Sequence, residues 1–172
     1  VPGPMARNVA DLAMLLSVQA GYDARAPLSM PGEGSRFQCR LERDFKGTRI
    51  AWVGDFKGYL PFEPGVLDVC KGALKTFEAM GCIVEEAHPD LSEAHDCFQV
   101  LRALSFATGL KDLHKAHGDR LKPEIVWNVE KGLKLNVEEI VKAEQQRVAM
   151  FDRTIAFFET YDLLLAPATI TA

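Results

Sequence analysis

Three stretches of the chain repeat apolar residues at the spacing of one helical face. In the first, Val9, Leu12, Ala13, Leu16 and Ala20 predict a helix turned toward a core. Asn8 stands at its N-cap, and Gly21 sits where helix ends favour a left-handed residue. In the second, Val66, Cys70, Ala73, Leu74, Phe77 and Met80 trace a face that Pro64 opens and Gly81 closes. In the third, Val137, Ile140, Val141, Val148, Phe151, Ile155 and Phe158 line a long helix. Asn136 followed by Glu139 gives that helix a start resembling a capping box. A further helix is expected from about Ser92 to Lys115, with Ser92 as its cap and Gly118 as its break, and a shorter one after Pro123.

Short apolar runs alternate with these helices. Thr48 to Asp55 (TRIAWVGD) and Cys82 to Glu86 read as strands, and Asp162 to Ala166 reads as a last strand stopped by Pro167. Strand, helix, strand over 48–87 is a βαβ unit, whose strands should run parallel with a right-handed crossover. Pro2, Gly3 and Pro4 form a stiff turn, 23–43 is a Pro-, Gly- and Ser-rich surface connection, and 91–160 is mainly helical. The fold class is therefore α/β, a small mixed or parallel sheet covered by helices, and 172 residues suit a single domain over 1–172.

Composition narrows the function classes. Hydrophobic residues make up 48% and charged residues 26%, an ordinary globular balance. A formal charge of −4 and the lack of a basic run argue against nucleic acid as a partner. No apolar run is long enough for a membrane helix, so no membrane partner is expected. Cys39, Cys70, Cys82 and Cys97 are scattered without a C-x-x-C pair, which fits free thiols in a cytoplasmic protein rather than disulfides or a metal site.

The two ends of the chain carry a more specific signal. Gly3-Pro4-Met5-Ala6-Arg7, then Val9-Ala10-Asp11, Leu15-Leu16, Ala20-Gly21, Asp23, Arg25, Pro27 and Ser29, resemble the segment that follows the nucleophile region in amidase-signature hydrolases. Ala26 departs from it, since the family often has Asp there. Phe158-Glu159 leading into Tyr161-Asp162-Leu163-Leu164-Leu165 resembles the family's stretch near a late strand. The resemblance implies a partial amidase-signature fold, a fragment of a larger amidase domain. It also implies a parent enzyme that hydrolyses the C–N bond of a small-molecule carboxamide to acid and ammonia or amine, without metal or cofactor.

That chemistry, as the resemblance implies it, uses a Ser–cis-Ser–Lys triad and backbone N–H groups of a Gly/Ser-rich loop. A serine hydroxyl needs a base before it attacks, and convergent N–H groups hold the charge that develops. In family order the lysine and the loop precede Gly3-Pro4-Met5-Ala6-Arg7. The expectation is that no catalytic residue lies in this chain and that it is inactive alone, with Gly3, Pro4, Met5 and Arg7 a structural motif beside the missing loop. Ser17, Ser29, Ser35, Ser92 and Ser105 are the serines, and only Ser35, in GEGSRF, follows a glycine.

Other clusters read as structure. His114, His117 and Asp119 lack a third convincing ligand for zinc, so a solvated helix end is the expectation. Glu85, Glu86, His88 and Asp90 read as a charged strand exit, because adjacent strand residues face opposite ways. Gly72 and Gly81 form no phosphate loop. The resemblance places part of the substrate pocket in the helical region after the second strand, and Phe98, Phe106 and Trp127, with Leu101 nearby, are its candidates. Two alternatives stay open: a non-catalytic binding module docking a partner through Asn136 to Thr160, or part of an amidotransferase of the A type. A fragment of this fold should also expose apolar surface and self-associate.

Overall fold

The computed structural model describes residues 3–171, so Pro2 of the expected N-terminal turn lies outside the described residues. The chain divides into two compact units, one ending at Phe45 and the other beginning at Lys46.

The first unit holds helix α1 (Val9–Gln19) and a short 3-10 turn at Gly34–Gln38 within the long connection. The Asn8 side chain accepts the Asp11 N–H at 2.8 Å, so the cap forms as its residue type predicts. Two expectations fail here. Val9 is exposed, and Leu12, Ala13, Leu16 and Ala20 are only half-buried, because little chain lies against the helix within this unit. Gly21 does not take a left-handed conformation; Ala20 is already extended, and Gly21 pairs with Glu33 in an isolated antiparallel bridge.

The second unit is α/β. Strand β1 (Arg49–Trp52) lies between β2 (Ile83–Glu86) and β3 (Leu163–Leu165), and both neighbours run parallel to it. The sheet is thus wholly parallel, as βαβ connections demand. Ile50, Ala51, Trp52 and Val53 are buried, while β2 and β3 form the sheet edges. That contrast explains why the central strand reads as an unbroken apolar run. Asp162 fixes the register of β3: its N–H donates to the Arg49 carbonyl and its carboxylate accepts the Arg49 N–H, at 2.9 and 2.8 Å.

Helix α2 (Val66–Ala79) joins β1 to β2, and its N-cap is Gly65 at φ 91°, one residue beyond the Pro64 expected to open it. Helix α3 (Ala94–His117) starts two residues after Ser92, and a 3-10 turn at Gly118–Arg120 ends it. Helices α4 (Pro123–Leu133) and α5 (Val137–Phe158) pack against α3, burying Cys97, Ala103, Ala107, Val129 and Ala143. Small residues at these positions let the helices approach closely. The capping box of α5 is complete, with Asn136 and Glu139 exchanging backbone-to-side-chain bonds of 2.9 Å.

The apolar stripe on α5 faces outward rather than into this unit. Val137, Val141, Val148, Phe151, Ile155 and Phe158 are all exposed, whereas Ala143 is buried and Met150, Arg153 and Phe157 are half-buried.

Candidate functional site

In parallel sheets, ligands bind outside the carboxyl ends of the strands, because the loops there are free of the crossover helices and can vary. Two such loops meet here. After β1, Asp55 to Gly58 forms a tight turn in which the Asp55 carboxylate accepts the Gly58 N–H at 2.9 Å. Phe56 and Lys57 both sit in the left-handed region, at φ 56° and 58°, a conformation that strains side chains bearing a Cβ. After β2, His88 to Ser92 leads into α3. His88 Nδ1 lies 2.9 Å from the Pro89 carbonyl, and Asp90 accepts the Ser92 N–H at 3.0 Å.

Asp90 therefore does the work expected of Ser92. It receives the backbone just before α3, and its carboxyl is held below its ordinary value of 3.8. The Ser92 N–H is the main cause, then the Ser92 hydroxyl, then the charges of Arg153 and His88. Arg153, on α5, donates to the Asp90 carbonyl at 3.0 Å and ion-pairs with Glu93, tying α5 to the start of α3.

Between these loops lies a cavity of about 560 Å³, with Phe56, Tyr59, Leu60, His88, Leu91 and Phe98 in its wall. The aromatic walls suit a flat apolar group. The Phe56 and His88 rings are 5.3 Å apart, centroid to centroid, and tilted by 52°. His88 Nε2 is closed off from solvent and makes no hydrogen bond.

The structure separates the three pocket candidates named from sequence. Phe98 is in the wall of this cavity. Trp127 lies between two open grooves beside α3 and α4, with the Lys131 ammonium 4.9 Å from its ring. Phe106 lines none of these hollows; it is half-buried, and Arg102 sits between it and Phe98, 5.4 and 5.6 Å from the two rings. Leu101 is half-buried. Sequence reasoning does not single out Phe56, Tyr59, Leu60 or His95. The available signal is that an aromatic-rich loop follows each of two parallel strands.

The remaining residues take structural partners. Gly3, Met5 and Arg7 are exposed and Pro4 is half-buried. Ser17 Oγ donates to the Met14 carbonyl and accepts from Gln38, Ser29 Oγ accepts the Asp23 N–H, and Ser35 Oγ donates to Glu33 at 3.2 Å. His114 Nε2 stands 3.8 Å from Glu130 on α4. Glu85 accepts from Arg49 at 2.6 Å across the strands. All four cysteines are thiols; Cys97 is buried, donates to the Ala143 carbonyl at 3.2 Å, and has its acidity lowered by that burial. Among the described residues no group of three or more His, Cys, Asp or Glu is disposed to hold a metal ion, and no helix is long and apolar enough to cross a membrane.

Comparison with known proteins adds the context of the whole chain. A family model described as Amidase matches residues 1–172. An acylamidase of Rhodococcus erythropolis is 31% identical over 99% of this chain and 36% of its own length. The A-type component of the glutamyl-tRNA(Gln) amidotransferase of Pseudomonas putida (strain W619) is 25% identical over 97% of this chain and 40% of its own. In three dimensions, a bacterial aryl acylamidase of the amidase signature enzymes matches 94% of this chain with a TM-score of 0.81 at 22% identity, over 35% of that structure. The chain thus spans little more than a third of the length of these relatives.

Proposed function

This chain belongs to the amidase family, and from that premise we propose that it supplies one wall of the substrate pocket of a carboxamide hydrolase and none of its bond-breaking groups. The observation that carries the reading is the aromatic-walled cavity at the carboxyl ends of β1 and β2. Such a cavity holds the apolar portion of an amide substrate and positions its carbonyl for attack by a nucleophile from elsewhere.

The hydroxyl partners support the second half. Amide hydrolysis requires a hydroxyl paired with a base, then donors converging on the new oxyanion. Ser17 and Ser29 are engaged with backbone and amide groups, and Ser35 pairs with an exposed carboxylate two residues away. None of these arrangements resembles a lysine-activated serine. The substrate is a small-molecule amide with an aryl or apolar acyl group, in keeping with the acylamidase relative. The four free thiols support a reducing compartment, the cytoplasm.

A second reading, a docking module, draws on one observation. The exposed stripe of Val141, Val148, Phe151 and Ile155 on α5 is apolar surface that invites self-association or a partner. The pocket reading is tested by titrating acetanilide into the isotopically labelled chain and following backbone amide shifts. Perturbations centred on Tyr59, His88 and Phe98 are expected; shifts confined to α5 would favour the docking module.

A further inference from the structure

The cavity has an aromatic wall and one polar atom without a partner, and together these define a ligand. The Pro89 carbonyl can only accept, so the proton of the neutral His88 ring sits on Nδ1, and Nε2 is left as a bare acceptor. That acceptor is closed off from water and unbonded, an arrangement that disfavours the empty state. The same place stores backbone strain. Phe56, whose ring lies against His88, and Lys57 occupy consecutive left-handed positions without being glycine. Shifting the Asp55–Gly58 turn moves the Phe56 ring, and it relieves that strain while opening a path to Nε2.

We propose that His88 is a specificity-determining residue: the cavity selects small aromatic compounds that carry one hydrogen-bond donor, a phenolic O–H or an anilide N–H, which bonds to His88 Nε2 as the Phe56 turn gives way. This deepens the pocket reading and rests on it. A ligand with the donor satisfies the orphan acceptor. A ligand of similar size without it leaves that acceptor buried and unpaired, and sites of this kind discriminate strongly. His95 and Asp90 also border the cavity. Asp90 is occupied by Ser92, and neither residue takes part in the selection.

The test compares phenol with anisole and toluene by the same amide-shift titration on the 172-residue chain. Phenol is expected to bind about 10- to 100-fold more tightly than the other two. His88→Leu should erase that preference while leaving toluene binding within a few-fold, and His88→Gln, which keeps an acceptor, should restore part of it. Lys57→Gly relieves the strain without opening the turn, so it should weaken phenol by about fivefold. If all three arenes bind at the cavity alike, or the preference survives in His88→Leu, the inference is overturned and the pocket reading stands. If no arene binds there, both fall. Dispersed amide spectra establish that each variant is folded.

Discussion

Gly132 sits on α4 where it crosses α3, and it is buried. A Cβ added there would lie 2.1 Å from the Ala103 carbonyl oxygen, 2.7 Å from the Ala103 carbonyl carbon and 2.7 Å from the Ala107 Cβ. Two of those three atoms are helix backbone and cannot rotate away, so Gly132→Ala must push α4 off α3 by roughly an ångström or more to reach ordinary contact distance. Overpacking of this kind costs about 1–3 kcal/mol, and a clash against backbone belongs at the top of that range or beyond it. Alanine gains about 1 kcal/mol over glycine in helix propensity. The net expectation is a loss of about 2–3 kcal/mol, a fall in Tm of roughly 6–10 °C for a chain of this size. Gly72, on the exposed side of α2, is the internal control. A Cβ there meets nothing within 4 Å, so Gly72→Ala should gain about 1 kcal/mol and raise Tm by about 3 °C. Thermal and urea melts followed by circular dichroism measure both variants. If Gly132→Ala melts at or above the parent temperature, the close α3–α4 approach is wrong.

Removing the α5 capping box by Asn136→Ala should cost about 1 kcal/mol in urea melts, while Asn136→Ser should recover most of it; equal stability of all three would refute the cap. Asp90 has its folded pKa depressed below 3.8. Its contribution is therefore fully present above the unfolded value and lost as pH falls through the lower folded one. Asp90→Asn should be less stable than the parent at neutral pH, and the gap should close below about pH 4. A gap unchanged across that range would mean the carboxylate is not the group holding the start of α3.

What is legible in the sequence is what depends on near neighbours. The Asn136–Glu139 box, the N-cap at Asn8 and the parallel pairing of two strands joined by a helix are all set within short stretches of chain. The role of Gly132 is not legible, because its reason is the backbone of Ala103, brought beside it only by helix crossing. His88 reads as part of a charged strand exit, yet Pro89 ends the strand geometry after β2 and the imidazole joins the cavity wall. Phe56 and Tyr59 lie in a loop, where periodicity says nothing about which way a ring points. The stripe on α5 reads correctly as one face of a helix, but periodicity does not reveal what covers a face, and within its own unit nothing does.

These 172 residues, on the reading proposed above, hold a substrate wall and no nucleophile. The decisive assay is ammonia and amine release from a small panel of aryl and aliphatic amides, with the chain as sole protein and Ser35→Ala alongside. Release indistinguishable from buffer is expected for both proteins. Turnover by the chain that Ser35→Ala abolishes would overturn the reading, and would place a working nucleophile in the loop after α1.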